Sequence, residues 1–448
     1  MKYAFVNGYV LNGNEDMKPE KGLAILVEDE KIVDVLPEKD ADLKGYKKIN
    51  LKGKYIMPGL INMHVHLPAA GGAPKAEKSK PTNYKALFRL LSIPGVKTGY
   101  QMVQNGNVKK ELYSGCTTIR AVGGILDFDT RARDNVLKGK IEGPRILAAN
   151  TGISVPGGHF AGSLATESLT PDTARADVRK CVAEKTDLIK LMITGGVMDA
   201  SEEGEPGALR MQQDMVTAAC DEAHKNGLPV AAHVESPDGV KVALRGGVDT
   251  IEHGAKPDQE IIDLFKETGS AHICTISPAV PYTLFDLDVS HCGELGLKNG
   301  RIVFEGIVDC AKACLENDIP VGLGTDTGCP FIRDYDMWRE VQYFHVWCGV
   351  SRAFALYTAT KKNAEILGMD DEIGTIEAGK CADFLVTAGN PLDDLTVLRK
   401  PAMVVTRGRV INKPKYKIDK KIEAELDKYT YFTPADYEAR KAAEAAAE

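Results

Sequence analysis

The stretch "PGLINMHVHLPAAGG", residues 58–72, places two histidines at the end of an apolar run. In a β-strand, alternate side chains point to opposite faces, so Asn62, His64 and His66 share one face and the apolar residues between them share the other. Two imidazoles on a buried face need partners for their ring nitrogens. Those partners are either hydrogen-bonding groups of a core or a metal ion, and the rest of the chain has to separate the two alternatives.

Size and composition narrow the class of protein. The chain has 448 residues, of which 44% are apolar, and a formal net charge of −7. This length predicts two or three domains, or one large barrel with an addition. The net negative charge argues against nucleic acid or an anionic membrane as a partner. No apolar run is long enough for a transmembrane helix, and the first residues lack the apolar centre of a signal peptide.

The ten cysteines are scattered and form no framework, and Cys310 and Cys314 are the closest pair. Such usage is typical of reduced thiols, so we expect a cytoplasmic protein. None of the cysteines has a zinc-ribbon spacing, and none is assigned here to a metal or to a nucleophile.

The two ends of the chain differ in pattern from its middle. Short strand patterns at both ends predict a small β-sandwich domain formed jointly by residues 1–57 and 376–415. Residues 58–375 alternate eight strand candidates with amphipathic segments, which predicts an α/β fold, a parallel (β/α)8 TIM barrel. An open doubly wound sheet is the alternative. Residues 416–448 are predicted to form a helical tail, and Thr170, before a proline, is predicted to cap a helix.

One connection is much longer than the others. Residues 67–100 follow the histidine pair and are predicted to be a long loop. Long loops beside a functional site are often lids, and an insertion without a role is the alternative. Together with residues 194–209 and 276–297, this loop is expected to determine what the site binds, because barrel loops vary while the barrel keeps its chemistry.

Polar side chains stand at the ends of the predicted barrel strands, where such folds collect functional residues. They are His64, His66, Lys190, His233, His253 and Asp326. Singly, each has a structural explanation, such as a core hydrogen bond, an ion pair or a turn cap. Six polar groups converging in an apolar barrel mouth would be costly without a charge to bind them. We therefore predict a divalent metal, and the ligand types favour zinc, with manganese, iron or nickel as alternatives.

Lys190 lies inside the apolar strand "DLIKLMI". An ammonium beside a metal ion would be repelled, whereas burial and positive neighbours lower the pKa of a lysine and free its neutral amine. A neutral amine can bind CO2 and become a carbamate, an anion with two oxygens that can bridge two metal ions. The alternative is a lysine that is ion-paired just outside the metal ligands.

The sequence resembles the amidohydrolase superfamily over nearly its whole length, to about residue 412. The motifs that carry this resemblance are "PGLINMHVH", "IEHG", "GTDTG" and the closing "GTIEAGKCADFLV". Within the superfamily it is most similar to the prolidase-like, or Xaa-Pro dipeptidase-like, group, through "DLIKLMITGGV" with its lysine and through "SVPGGHF". The resemblance implies a metal-bearing (β/α)8 barrel with a small β-sandwich built from both ends, which agrees with the strand pattern.

The resemblance also implies a set of site residues. It implies two divalent metal ions, with zinc expected, bridged by a carbamylated Lys190. Carried over by position, one ion is held by His64, His66 and Asp326, and the other by His233 and His253.

The reaction implied is hydrolysis of an amide bond in a small substrate, a dipeptide or an N-acyl amino acid, by a metal-bridged hydroxide. Asp326 would also be the catalytic proton shuttle, taking a proton from water and passing it to the leaving nitrogen. His159, in "GGH", would stabilise the oxyanion or bind the substrate carboxylate, and holding the glycine-rich loop is its alternative role. A homo-oligomer without nucleic-acid or membrane partners is expected.

Two other functions stay open. The first is a deaminase or an imidazolonepropionase-like cyclic-amide hydrolase with a single metal ion. Many deaminases place a glutamate three residues after the histidine of strand five. Here Glu235 is the second residue after His233 and Ser236 is the third. In a deaminase, Lys190 would also have no role. The second is a non-enzymatic assembly protein on a degenerate barrel. Such proteins have lost ligands, and this chain retains all six.

A few further polar residues are harder to interpret. Glu235 is an unexpected acid, and His272 on strand seven offers no clear substrate handle. Arg333 could hold a substrate carboxylate, whereas Arg210 is expected to face solvent. The remaining histidines are predicted to be surface or packing residues: His224, His291 and His345.

Overall fold

The computed structural model describes residues 1–69, 71–74, 83–204 and 206–446. The chain begins with short strands, which are β1 (Lys2–Val6), β2 (Tyr9–Val10), β3 (Glu20–Lys21), β4 (Leu23–Glu28), β5 (Lys31–Pro37), β6 (Lys47–Asn50) and β7 (Tyr55–Pro58). Four of them form a sheet in the order β5-β4-β1-β6. The other three enter a second sheet that is completed by the other end of the chain.

The middle of the chain supplies the strands of the barrel. They are β8 (Leu60–Val65), β9 (Cys116–Ala121), β10 (Arg145–Ala148), β11 (Gly152–Ser154), β12 (Ala165–Glu167), β13 (Ile189–Met192), β14 (Val230–Val234), β15 (Thr250–His253), β16 (Ala271–Cys274) and β17 (Val321–Leu323). Parallel pairing runs through β8, β9 and β10, and separately from β12 through β11 and β13 to β17. Eight of these strands are the predicted ones, and the short β11 and β12 are additional.

Backbone hydrogen bonds join the ends of the two parallel groups. The amide of Asp187, before β13, donates to the carbonyl of Ala148 in β10 at 2.9 Å. After β17, the amide of Asp326 donates to the carbonyl of His64 at 2.9 Å, and the amide of His66 donates to the carbonyl of Thr327 at 2.8 Å. The last strand therefore returns to the first, which confirms the TIM-barrel prediction over the open sheet.

The remaining strands complete the second sheet. They are β18 (Phe384–Thr387), β19 (Met403–Thr406) and β20 (Arg409–Asn412). The sheet order β20-β19-β18-β7-β2-β3 combines strands from both ends of the chain. Phe5, Ile25 and Ile56 share one buried cluster with Phe384 and Val405. A β domain built from both termini is thus confirmed, while the limits given above for the three domains stay predictions.

The helices follow the predicted alternation. Their bounds are α1 (Tyr84–Leu91), α2 (Pro94–Tyr113), α3 (Phe128–Leu137), α4 (Pro171–Ala183), α5 (Gln213–Lys225), α6 (Pro237–Arg245), α7 (Gln259–Thr268), α8 (Ala279–Leu284), α9 (Leu287–Ser290), α10 (Gly293–Glu316), α11 (Met337–Cys348), α12 (Arg352–Tyr357), α13 (Asn363–Ile366), α14 (Lys420–Asp427) and α15 (Pro434–Ala445). The hydroxyl of Thr170 accepts from the amide of Thr173, so the predicted cap of α4 is present. Among the described helices, none combines the length and apolarity that crossing a membrane requires.

The prediction of a loop over residues 67–100 is wrong for its second half. Helix α1 begins after Asn83, whose side chain accepts from the amide of Ala86, and α2 begins at Pro94. A proline in the first turn starts a helix, because the missing amide hydrogen would have no partner there. Residues 70 and 75–82 lie outside the described part of the chain, and the lid stays a prediction.

The C-terminal tail forms two helices, α14 and α15, that pack on the barrel. Ile422, Leu426 and Tyr437 are buried. Arg339 of α11, 1% exposed, donates to Glu423 at 3.1 Å and to Asp427 at 2.6 Å. This buried guanidinium therefore connects the tail to the barrel.

We predict that Arg339→Met lowers the free energy of unfolding by about 3–5 kcal/mol, because the buried carboxylate of Asp336 loses this guanidinium and that of Glu423 keeps only Arg399 as a partner. Urea denaturation monitored by circular dichroism measures the change. Arg175→Met is the control, since Arg175 pairs with Asp172 on the surface; it should change the stability by less than about 0.5 kcal/mol. Equal stability of the two variants would show that the tail does not depend on this ion pair.

Candidate metal centre

A cavity of ≈ 360 Å³ lies at the carboxyl ends of the barrel strands. It brings together the predicted metal ligands and the predicted catalytic residues, and its lining includes His64, His66, His159, Lys190, His233, His253 and Asp326. These side chains come from β8, from the segments after β11 and β17, and from β13, β14 and β15. Residues far apart in the chain thus meet because parallel strands end at the same rim of the barrel.

The first ligand group consists of His64, His66 and Asp326, all buried. The two Nε2 atoms lie 3.3 Å apart. Oδ1 of Asp326 lies 3.1 Å from Nε2 of His66 and 3.5 Å from Nε2 of His64. Three potential donor atoms for one metal ion therefore lie around a common point.

The other ring nitrogens decide which tautomers are present. Nδ1 of His66 lies 2.8 Å from the carbonyl oxygen of Gly123, which can only accept, so Nδ1 carries the proton. Nδ1 of His64 lies 2.7 Å from a carboxylate oxygen of Glu252, so the same holds there. In the neutral rings, both Nε2 atoms then present lone pairs to one another. A cation between them removes this repulsion, and these residues fit a divalent metal ion.

Two buried polar atoms beside this group support the same conclusion. Oδ1 of Asp326 and Nζ of Lys190 are buried and have no hydrogen-bond partner among the described residues. Such orphaned groups are costly unless an ion or a ligand completes them. Burial lowers the pKa of Lys190 to about 8, which brings the neutral amine within reach of ordinary pH.

The second ligand group consists of His233, Glu235 and His253, with one donor atom of each within 4.8 Å of the others. Nε2 of His233 donates to the carbonyl of Gly195 at 3.1 Å, which leaves Nδ1 with the free lone pair. Nδ1 of His253 is hydrogen-bonded to the hydroxyl of Thr275 at 2.7 Å.

Burial also keeps three of these histidines neutral. It lowers the pKa of His64 to about 4 and holds the pKa values of His233 and His253 well below their ordinary range. Neutral imidazole is the form that binds metal ions. The cavity therefore presents uncharged nitrogen ligands at neutral pH without further rearrangement.

The backbone is strained at two of the candidate ligands. His253 has φ of 66° and Asp326 has φ of 54°, both in the left-handed region that non-glycine residues seldom adopt. Such strain persists only where the surrounding structure enforces it, and it concentrates at functional sites. At His253 this strain ends the alternation of the strand, so that Glu252 and His253 both approach His64. Oε2 of Glu252 lies 2.7 Å from Nδ1 of His64, and the ring centres of His253 and His64 lie 4.9 Å apart.

His159 lies across the cavity from the first group. Its Nδ1 donates to Asp199 at 2.5 Å, and its ring stacks on His233 with centres 4.2 Å apart. Asp199 also accepts from the amide of Gly196 at 2.9 Å. The carboxylate therefore fixes the orientation of the imidazole and leaves Nε2 free to meet a bound molecule.

The remaining wall of the cavity is largely apolar. It is lined among others by Phe160, Met192, Val197, Ala279, Tyr282, Val303, Ile307 and Pro330. Residues 194–209 and 276–297 contribute to this wall, as does Pro74 from the long connection. His291 is exposed, as predicted, and it also borders the cavity after α9, with φ of 53° that turns the chain there.

Several other polar residues lie elsewhere. Arg333 is absent from the described cavity lining, and its amide donates to Asp336 at 2.9 Å. Arg210 is exposed, as expected. His224 pairs with Asp249 at 2.8 Å near the surface. The last of the histidines, His345, is hydrogen-bonded through Nδ1 to a backbone carbonyl at 2.6 Å.

Sequence reasoning did not single out Glu252, which supports the site from behind. It accepts from Arg120 and from Thr250, each at 2.7 Å, and from His64 at 2.7 Å. The motif "IEHG" contains this glutamate, but only its neighbour His253 is recognisable there as a potential metal ligand. Asp199 was likewise missed, since it lies in a loop with several other acids.

Comparison with known proteins agrees with this geometry. Residues 55–411 match the model of the amidohydrolase family. A crystallised protein from Bifidobacterium longum, named as a candidate prolidase, is 35% identical with a TM-score of 0.84 and covers 96% of this chain and 99% of its own. Ochratoxinase from Aspergillus niger is 22% identical over 422 residues, which are 87% of this chain and 82% of that protein. A 5-methylthioadenosine/S-adenosylhomocysteine deaminase from Bacillus cereus is 24% identical over 404 residues, 86% of this chain and 85% of the deaminase.

We predict that Glu252→Gln weakens metal binding by about 10- to 100-fold, because the partner that orients His64 loses its charge and offers only one acceptor. Equilibrium dialysis against zinc with elemental analysis measures the affinity. Glu260→Gln is the control, because Glu260 pairs with Arg245 on the surface. If both variants bind zinc like the parent protein, Glu252 has no part in the metal site.

Proposed function

The chain belongs to the amidohydrolase family, and we propose that it is a binuclear metal-dependent hydrolase that cleaves an amide bond of a small substrate. The proposed substrates are dipeptides or N-acyl amino acids. The observation that carries the proposal is the convergence of two ligand groups and Lys190 on one cavity. Hydrolysis with the help of a metal ion is supported by the family and by the lone pairs of His64 and His66 that face each other.

We assign the ligands by group. His64, His66 and Asp326 would hold one ion, and His233 and His253 the other. Lys190 would bridge them as a carbamate, formed when its neutral amine attacks the carbon of CO2 and loses a proton to water. This conversion exchanges a buried cation for a buried anion with two ligand oxygens. Zinc is the expected metal, since imidazole and carboxylate ligands suit it.

When bound, the two ions would supply an acidified water molecule and polarise the substrate carbonyl. Asp326 would take up a proton from such a water molecule with the carboxylate oxygen that does not bind the ion. Asp326 then delivers the proton to the leaving nitrogen, first as general base and then as general acid. Its strained backbone holds the carboxylate at the rim of the barrel for both transfers.

His159 would act on the substrate from the opposite wall. With Nδ1 engaged by Asp199, a proton on Nε2 would point to the oxyanion or to the carboxylate of the substrate. The apolar wall around Tyr282, Val303 and Ile307 would receive the side chain of the substrate.

One observation favours a mononuclear deaminase as the second candidate. Glu235 lies in the cavity with His233 and His253, and burial raises its pKa to about 8, so it holds a proton that it could give to a substrate. In that case one ion would suffice and Lys190 would take no part. The number of bound metal ions separates the two candidates.

For the binuclear enzyme we predict close to two metal ions per chain in the cavity, in addition to any ion held by thiols elsewhere in the chain, and one ion fewer in Lys190→Ala, with hydrolysis lost. Added propionate should restore part of the activity, because a short carboxylate fits the space of the missing carbamate. Inductively coupled plasma mass spectrometry counts the ions. One ion in the cavity of the parent protein would favour the deaminase, and two in the cavity of Lys190→Ala would remove Lys190 from the ligands.

A screen of dipeptides and N-acyl amino acids with the zinc-loaded protein tests the substrate class by the amino acids released. On the best substrate, we expect Asp326→Asn to retain metal and to lower kcat by about 10²–10⁴, the usual contribution of general acid–base catalysis. The matched control is Asp263→Asn, an exposed residue of α7 that is not part of the cavity lining, and it should leave kcat unchanged. Normal turnover in Asp326→Asn would exclude the proton shuttle.

A further inference from the structure

We propose that His272, Cys310 and Cys314 form a separate site for a thiophilic metal ion such as Zn²⁺. We call these three residues the cysteine–histidine cluster. One donor atom from each lies within 4.8 Å of the others. His272 comes from β16, and both cysteines come from α10. None of the three belongs to the described lining of the cavity, so the cluster is distinct from the candidate metal centre.

The two thiols are spaced for joint coordination. Cys310 and Cys314 are four residues apart in a helix, which places them on one face, one turn from each other. Both are fully buried and neither forms a disulfide. Zinc bonds to sulfur are about 2.3 Å long, which sets tetrahedral donors about 3.8 Å apart. The three donor atoms lie within 4.8 Å of one another, so a shortening of these distances by about 1 Å would bring them into the coordination range of one ion.

His272 supplies an independent indication of a ligand. Its Nε2 lies 2.8 Å from the carbonyl oxygen of His253 and must be the donor there. Nδ1 consequently keeps its lone pair in the neutral ring, yet it is buried without a hydrogen-bond partner among the described residues. Because buried polar atoms are almost always paired, this nitrogen needs a group that accepts its lone pair.

Gly254 keeps space open beside the cluster. A Cβ atom at this position would lie 2.9 Å from Nε2 of His272 and 3.0 Å from Sγ of Cys310. The residue also has φ of 81°, which disfavours any side chain. The glycine of "IEHG" therefore serves the cluster as well as the turn after His253.

Charge balance allows a divalent ion to occupy the buried cluster. Binding of Zn²⁺ displaces one proton from each thiol, and the ion with two thiolates and a neutral imidazole is uncharged overall. A neutral unit avoids the cost of a buried net charge. Sulfur ligands also select Zn²⁺ over magnesium or calcium.

Cadmium provides a probe that separates this site from the cavity. Full-length protein freed of metal and reloaded with Cd²⁺ should show thiolate-to-metal absorption in the ultraviolet. It should also show a cadmium NMR signal in the thiolate range, apart from signals of ions held by nitrogen and oxygen. Cys310→Ala with Cys314→Ala should lose both features and one equivalent of metal. The control is Cys329→Ala, since Cys329 lies 3.2 Å from Asp326 and is the thiol closest to the cavity ligands; it should keep both features.

The outcomes are distinct. Absence of the thiolate signal from the parent protein overturns the proposal, and so does its persistence in the double variant. The NMR measurement on the parent protein needs no substitution, so it stands even where the double variant fails to fold. Loss of the nitrogen and oxygen signals alone would count against the metal ions of the proposed hydrolase and would leave the cysteine–histidine cluster supported.

Discussion

The site depends on one electrostatic constraint, the meeting of three lone pairs without a proton between them. Gly123 and Glu252 hold the Nδ1 protons of His66 and His64, and this leaves both Nε2 atoms as acceptors that face each other at 3.3 Å. Asp326 adds a carboxylate oxygen 3.1 Å from one of them. A proton placed between two of these atoms would leave the third lone pair unmatched, whereas a cation makes each of the three contacts favourable. The geometry of the barrel rim is therefore tied to metal binding.

The barrel provides this arrangement through backbone pairing. Hydrogen bonds between His64 and Asp326, and between His66 and Thr327, fix the last strand segment against the first at the rim. The ligands on β14 and β15 are placed by the parallel register, which pairs Val234 with His253. Strain at His253 and Asp326 turns their side chains inward. Folding energy from the apolar core thus holds polar groups where they would otherwise repel each other.

The barrel and most of the candidate ligands could be predicted from the sequence, because the alternation of residues along a strand and the position of polar residues at strand ends can be read there. The alternation around His64 and His66 and the strand-end locations of His233, His253 and Asp326 are local patterns, and parallel strands bring them together. Three features escaped because they depend on tertiary structure. Glu252 acts behind the ligands, Asp199 contacts His159 across 40 residues, and His291 reaches the cavity through a left-handed turn.

The buried charges show why the identity of residue 190 matters for the proposed function. Arg120 neutralises Glu252, at 2.7 Å, so this pair adds no net charge behind His64. Around the cavity, Asp199 is engaged by His159, and burial raises the pKa of Glu235 to about 8, so that Asp326 would offset an ammonium on Lys190 and leave little charge for a metal ion. Conversion of the ammonium to a carbamate would change the local charge by two units, which favours a second dication in a buried site. In the proposed function, the chemical state of Lys190 would therefore set how many ions the cavity holds.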